Sequence, residues 1–202
     1  MDVKTKVFLF FIFSVFFFFS GKVEGQENNI KNYISANINY PIPMGDNFLN
    51  TSPPGSYMGI FSLEIGVNHL IADKTYLGIN IESGYLYRKF SNLYAQILRF
   101  TSDINRHFAI NKFSIVPQIN VGYSRWRFYS EDGPNKVSYY STRDGISISP
   151  SIRFVYPITS KIELFADGRY DYSRVDTKDI ANISYNRDLQ LFYSGIGINV
   201  TL

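Results

Sequence analysis

The side chains that could do acid–base or metal chemistry are few in this chain. There are two histidines, His69 and His107, and no cysteine, which excludes disulfides, thiolate nucleophiles and cysteine-bound zinc. A general base must lie within hydrogen-bond reach of its target and needs a second group to orient it. Both histidines fall at or beyond strand ends, and a His–His metal pair would lack a carboxylate at ligand spacing. We therefore expect exposed turn histidines, with no catalytic residue, no metal site and no cofactor.

A second group of charged side chains alternates with small polar residues along several extended segments. Such a group could line a narrow ion path, or its members could neutralise one another and fill the interior of a small barrel. Because an eight-stranded barrel is just wide enough to be filled by side chains, we favour the structural network. The candidate members are Glu64, Glu82, Arg153, Glu163, Asp167 and Arg169.

A third candidate is the segment Arg125-Trp126-Arg127. In a strand, Arg125 and Arg127 would share the outer face while Trp126 points inward. Guanidinium groups there could contact lipopolysaccharide phosphates. The alternative is that this part of the strand rises above the membrane and the arginines are simply solvated, and the sequence does not decide between the two.

The elements that must position these residues are strands, because apolar and polar residues alternate with a period of two. Leu93 to Thr101 is ambiguous: either Tyr94, Leu98 and Phe100 face outward, or Leu93, Ala95 and Ile97 do. Pro117 costs a ladder hydrogen bond inside its strand, which predicts a bulge. The eight predicted strands run from about Asn32 to Tyr40, Tyr57 to His69, Tyr76 to Arg88, Leu93 to Thr101, Lys112 to Phe128, Val137 to Tyr156, Lys161 to Arg174, and Phe192 to Leu202.

Three observations favour an apolar outside and a polar inside. The charged residues share the small polar face, where they could pair with one another. The last strand ends on its apolar face. Tyrosines also gather at one predicted end of the strands, as in an interfacial girdle. These are Tyr40, Tyr57, Tyr85, Tyr87, Tyr94, Tyr123, Tyr139, Tyr140, Tyr170, Tyr172 and Tyr193.

The first 25 residues have the pattern of a secretory signal peptide, in which Lys4 and Lys6 precede the apolar run Val7 to Phe19. We therefore assign residues 1–25 to the signal and 26–202 to one barrel domain. An even number of strands puts both termini on one side, the periplasm for an exported bacterial barrel. Asp103 to Asn111 is then a periplasmic turn, and Pro41 to Ser56 and Val175 to Asp188 are outer loops.

With these residues in view, the chain resembles the small eight-stranded outer-membrane barrels of the OmpX and OmpA transmembrane-domain type, and more narrowly the barrel-domain outer-membrane proteins of Bacteroidetes. The apolar spacing of Ile196, Ile198, Val200 and Leu202 matches the terminal segment that barrel-assembly machinery reads in this class. One departure is Leu202, where many relatives end in Phe or Trp. The resemblance implies an all-β, eight-stranded antiparallel up-and-down transmembrane β-barrel.

The functional expectation follows from this class. We expect a monomeric, non-enzymatic protein of the Gram-negative outer membrane, with lipid and lipopolysaccharide as partners and loops that present a structural, adhesive or envelope-interacting surface. The alternatives are a small pore or transport-accessory barrel and a soluble secreted ligand-binding barrel. Of the net charge of +3, the signal segment contributes +1, because Lys4, Lys6 and Lys22 are partly offset by Asp2 and Glu24. The domain is therefore close to neutral and carries no basic field for nucleic acid.

Overall fold

The computed structural model describes residues 32–51, 56–131, 137–176 and 187–202; for residues 51, 131 and 137–140 it describes the backbone only. The predicted signal segment, residues 1–25, lies outside the described residues. Within the described part of the chain, no helix is long and apolar enough to cross a membrane.

In the described part of the chain, nine strands form a single closed sheet, and one short helix lies at one end of it. Every neighbouring pair is antiparallel, β1 pairs with β9, and β4 pairs with β6, so no long strand has a free edge. The short strand β5 only extends the ladder on β6. The predicted eight-stranded antiparallel barrel is therefore confirmed. The elements are β1 (Asn32–Pro43), α1 (Phe48–Thr51), β2 (Tyr57–Ala72), β3 (Thr75–Arg88), β4 (Leu93–Arg106), β5 (Phe108–Ile110), β6 (Phe113–Glu131), β7 (Val137–Pro157), β8 (Ile162–Val175) and β9 (Asp188–Thr201).

The apolar face of the sheet is outside and the polar face is inside. Ile79 and Ile146 are 67% and 68% exposed on the outer wall, whereas Glu64 and Glu82 are buried in the interior. The ambiguous fourth strand takes the first of its two facings. Its Phe100 faces outward and its Ala95 and Ile97 face inward, together with Arg99.

Two predicted girdle tyrosines, Tyr57 and Tyr193, are instead buried inside the barrel. A register shift between Gly59 and Phe61 inserts one extra residue into β2, and this reverses the facing of Tyr57 relative to the rest of the strand. Tyr193 lies three residues from the outward Ile196, so the strict alternation of β9 places it inside. The side chains of Tyr139 and Tyr140 lie outside the described residues.

Two further local predictions are wrong. Pro117 pairs opposite Ile152 in continuous register, without a bulge. On its other side, β6 pairs first with β5 and then with β4. Pro117 lies with Val116 in the gap between these two ladders, so its missing N–H breaks no pairing there. The segment from Asp103 is not a turn, because β4 continues to Arg106 and Asp103 lies in the barrel wall.

At one place the β1–β2 ladder stops although both strands continue. The last paired residues are Asn39 and Ser62. Beyond them, Pro41 and Pro43 have no N–H to donate, which removes the hydrogen bonds that β2 would accept. The strands nevertheless stay close: a Cβ on Gly59 would lie 1.9 Å from the Pro41 carbonyl oxygen, so only glycine fits there.

Candidate functional site

The barrel interior has three layers between its two ends. We call the end near Asn32 and Thr201 the terminal end, and the opposite end, where α1 lies, the loop end. An amide-rich layer with aromatic rings occupies the terminal half, an ion network crosses the middle, and an apolar cluster fills the loop end.

The centre of the ion network is Arg169 on β8. Its Nη2 lies 2.6 Å from Glu82 Oε2, and its Nη1 donates to Glu64 Oε2. Glu64 and Glu82 are directly opposite each other on β2 and β3, an arrangement that would repel without a shared cation. Arg153 on β7 adds a contact of 3.2 Å from its Nη2 to Glu64 Oε1. These two arginines tie one side of the barrel to the other.

A third arginine that crosses the barrel is Arg99. It is not among the predicted network members, because the sequence pattern left the facing of its strand ambiguous. Its Nη1 lies 2.9 Å from Asp171 Oδ2 and 3.3 Å from Glu82 Oε2, and its Nη2 donates to the Tyr193 hydroxyl. Asp171 also accepts a 2.6 Å hydrogen bond from Ser149. The alternation of β8 already predicts that Asp171 shares the polar face of Asp167 and Arg169, although Asp171 is not one of the six candidate members.

Four of the six predicted network residues therefore meet: Glu64, Glu82, Arg153 and Arg169. Asp167 is buried opposite Arg153 in the β7–β8 register, but among the described residues it has no ion pair within 4.0 Å. Glu163 lies near the terminal end and accepts a 3.0 Å hydrogen bond from Asn199 Nδ2. With Arg99 and Asp171 added, the connected network holds three arginines and three carboxylates, so its formal charges balance.

Closer to the terminal end, another buried carboxylate, Asp103, is held by amides instead of arginines. Asp103 accepts hydrogen bonds from Asn105 Nδ2 at 2.7 Å and Asn80 Nδ2 at 2.8 Å. Asn80 and Gln118 also donate to Asn120 Oδ1, at 3.2 Å and 2.9 Å. Within the described residues, no group of three or more His, Cys, Asp or Glu side chains is arranged to hold a metal ion.

The two histidines differ. His69 is exposed, as predicted, but it does not lie in a turn: β2 continues to Ala72, and His69 pairs with Asn32 and Leu77. Its Nδ1 lies 2.6 Å from Asn32 Oδ1. His107 was predicted to be solvated, but its ring packs into the terminal end, with centroids 4.9 Å from Tyr76 and 5.9 Å from Tyr33. Burial, with a smaller contribution from Arg153, lowers the pKa of His107 to about 4. Because β4 continues to Arg106, His107 follows directly after the barrel wall instead of lying in a solvated turn.

The loop end contains an apolar cluster that we call the apolar chamber. Trp126 is fully buried there and stacks on Phe128 with a centroid distance of 6.3 Å. Phe48 of α1 packs against Phe128 at 5.5 Å and Tyr57 at 5.7 Å, and Leu49 is fully buried beside them. The wall of the chamber consists of Tyr57, Leu86, Ala95, Ile97, Trp126, Phe128, Val175, Leu189, Leu191 and Tyr193.

The Arg125-Trp126-Arg127 segment has the predicted facing. Trp126 points inward, and the two arginines lie on the outer wall. Arg125 already has an anionic partner, because its Nε lies 2.7 Å and its Nη2 3.2 Å from the Asp144 carboxylate. The Tyr123 hydroxyl donates to the same carboxylate at 2.5 Å. Any phosphate would have to compete with Asp144 for Arg125, whereas Arg127 faces outward beside it.

The candidate assembly segment lies on the outer wall of β9, between β1 and β8. Ile196 and Leu202 are 66% and 70% exposed, and Ile198 and Val200 continue the same outward row. The row therefore belongs to the apolar exterior.

No family model matches the chain, and no curated protein matches it in sequence. Solved structures do match. Neisserial surface protein A has a TM-score of 0.58 at 19% identity, covering 89% of this chain and all of that one. A major outer-membrane protein of Thermus thermophilus has a TM-score of 0.52 at 11% identity, with 85% and 99% covered. The outer-membrane protein AlkL, solved in lipid bilayers, has a TM-score of 0.51 at 11% identity, with 91% and 95% covered.

At these identities the likeness concerns the fold alone. The chain has the fold of small outer-membrane β-barrels: a closed sheet of eight long antiparallel strands with an apolar exterior and a filled, largely polar interior.

Proposed function

We propose that the chain is a monomeric, non-enzymatic integral protein of the Gram-negative outer membrane. It crosses the bilayer with its eight long strands, keeps both termini in the periplasm and presents its outer loops to the envelope surface. Its role is structural, adhesive or envelope-interacting. The observation that carries the proposal is the distribution of apolar residues over the outer wall.

The outer wall supports a lipid environment because its exposed side chains are large and apolar on every long strand. Such an area is far greater than soluble monomers leave exposed. Examples from different strands are Ile38, Ile65, Ile81, Phe100, Val121, Phe154, Leu164 and Ile196. In lipid this surface is favourable, and the closed ladder satisfies the backbone groups that hydrocarbon cannot. A soluble carrier barrel would need the opposite distribution.

The filled interior supports a structural role for the barrel rather than a role as a pore. Arg169, Arg153 and Arg99 cross the middle of the barrel and are each held by carboxylates of other strands. Above them, the apolar chamber and α1 fill the loop end. A path for ions would have to break several buried ion pairs, which is costly.

Two surface roles belong to the same proposal. Arg127 contacts lipopolysaccharide phosphates at the outer rim. Arg125 joins it where a phosphate displaces the Asp144 carboxylate. The outward row Ile196, Ile198, Val200 and Leu202 is the segment that the barrel-assembly machinery reads during insertion.

The test is fractionation combined with heat-modifiable migration on detergent gels. The expected result is a protein that co-sediments with outer membranes and migrates faster unboiled than boiled. A protein recovered free in the medium, and monodisperse in buffer without detergent, would overturn the proposal. Planar-bilayer recordings without channel openings, and lipid A mass spectra that deletion leaves unchanged, separate the scaffold from a pore and from an enzyme.

A further inference from the structure

The apolar chamber is the part of the interior that a barrel scaffold does not require. Six strands turn apolar side chains inward at the loop end, whereas the rest of the described interior holds only a smaller apolar cluster, Val116, Val155 and Phe165, and a few aromatic rings among ions, amides and hydroxyls. In lipid the closed ladder holds the sheet together, so the interior needs filling but no hydrophobic core. A concave apolar wall with a few polar groups at its border is the composition of a small-molecule site.

The chamber is filled by the side chains of α1, which contact the barrel wall through apolar and aromatic groups. Leu49 N donates to Asn47 Oδ1 at 3.0 Å and Asn50 Nδ2 donates to Gly45 O at 2.9 Å, so these helix residues bond to their own loop. The loop is tied to the wall just before the helix, where Met44 N donates to Gln190 O at 3.0 Å.

What α1 places in the chamber is two apolar side chains. Phe48 contacts Tyr57 and Phe128, and the Arg143 guanidinium lies 4.9 Å from the Phe48 ring centroid at the border. Leu49 is fully buried. A helix of four residues has little stability of its own, so these apolar contacts are what keep it in place.

We propose that the apolar chamber is a binding site for one unbranched alkyl or acyl chain, and that Phe48 and Leu49 of α1 occupy this site when the chain is absent. A benzyl group and an isobutyl group together have about the bulk of a medium-length alkyl chain. Entry of such a chain exchanges one set of apolar contacts for another and displaces α1 outward. The ion network below, beginning where Arg99 contacts Tyr193, sets the depth to which the chain can enter.

Occupancy by α1 lowers the apparent affinity for the chain. Because the site is open in only a fraction of molecules, the apparent dissociation constant equals the intrinsic one divided by that fraction. Weakening the contacts of α1 raises the fraction, so the same ligand must then bind more tightly. This reverses the usual effect of truncating a side chain that lines a site, and it distinguishes displacement of α1 from binding elsewhere.

The chain contains one tryptophan, Trp126, and it lies in the chamber wall, so its fluorescence reports on the site directly. The full barrel is folded in phospholipid bilayers and titrated with a brominated medium-chain alcohol, a neutral probe whose bromine quenches tryptophan on contact. The expected result is saturable quenching that the unbrominated alcohol reverses. In Phe48→Ala/Leu49→Ala, half-saturation falls about tenfold.

Two controls keep the test decisive. In Trp126→Phe/Phe100→Trp the tryptophan faces lipid on β4, and its quenching must rise with the bilayer content of probe without saturating. Phospholipid brominated on its acyl chains replaces the alcohol in a second arm: if it quenches Trp126 in the double variant, the chain comes from the bilayer, and if only the alcohol does, the ligand is a free molecule.

The proposal is overturned if Trp126 stays unquenched while the lipid-facing tryptophan is quenched, or if quenching is linear and identical in wild type and variant. Phe48→Ala alone serves if the double variant does not fold. Heat-modifiable migration does not depend on the chamber, so a barrel that migrates normally without quenching refutes this inference and leaves the proposed function standing.

Discussion

The middle layer and the apolar chamber fill the same barrel by opposite means. In the middle, Arg99, Arg153 and Arg169 each need particular carboxylates on other strands, so every member fixes the position of the next. In the chamber, the shape and the apolar area of a group determine how well it packs, so one occupant can replace another of similar bulk. The first layer is therefore suited to fixing the barrel in one geometry, and the second to accepting change.

The largest expected effect comes from breaking the ion network. Glu82→Gln leaves Arg99 and Arg169 without the carboxylate they share. The single amide oxygen of Gln cannot replace both Oε2, which contacts the two arginines, and Oε1, which accepts the 2.5 Å hydrogen bond of the Ser62 hydroxyl. We expect a loss of about 3–5 kcal/mol in the free energy of unfolding, measured by urea titration of the barrel in micelles. Glu163→Gln, whose carboxylate bonds only Asn199 in the described contacts, is the matched control and should change stability far less. Equal losses would contradict the central role of Glu82.

Truncation in the apolar chamber should cost less than this and leave the geometry intact. Leu191→Ala removes a fully buried side chain of the chamber wall, with an expected loss of about 2–4 kcal/mol in the same titration. Because an apolar ligand can refill the cavity, a medium-chain alcohol should restore part of this loss. It should restore nothing in Glu82→Gln, and restoration in both variants would erase the distinction between the two layers.

His107, at the terminal end, should make the free energy of unfolding depend on pH. Its pKa is lowered to about 4 in the fold, so the stability that it contributes is fully present above its unfolded pKa of about 6.5 and is lost as the pH falls. Between pH 7 and pH 5 we expect a loss of about 2 kcal/mol in the free energy of unfolding. His107→Gln should flatten this part of the profile, and an unchanged slope would show that other groups carry it.

The smallest effect is expected at Asp103, a buried carboxylate that contacts amides and no arginine within the described ion pairs. Asp103→Asn turns its new NH2 group toward one of the two donor amides, but it also removes a buried charge that no arginine contacts in the described ion pairs. Because these two effects oppose each other, the free energy of unfolding should change by less than about 1 kcal/mol. This is the direct counterpart of Glu82→Gln in urea titration. A loss as large as that of Glu82→Gln would mean that charge, and not pairing with arginine, is what the interior requires.

Alternation of polar and apolar residues was enough to predict the eight strands and the facing of nearly all of them. It could not predict Tyr57, because one extra residue near Gly59 reverses the facing and leaves no pattern in the sequence. Arg99 was missed because both faces of its strand are partly apolar, since Ala95 and Ile97 belong to the chamber.

The chamber itself could not be predicted for a related reason. Leu86, Leu189 and Leu191 lie on the polar face by parity, yet only their position at one end of the barrel brings them together with Trp126. That position depends on the stagger between strands, which a single sequence does not reveal. The same holds for α1, because its position at the loop end depends on tertiary contacts that leave no local pattern in the sequence.

The pairing of β1 with β9 joins the two strands that are farthest apart along the chain. Until β9 is in place, β1 has an unpaired edge whose N–H and C=O groups could pair with any other extended segment. Closing so long a loop is an intrinsically slow step. We therefore expect the time for which the edge of β1 stays unpaired, before β9 is added, to determine the risk of aggregation.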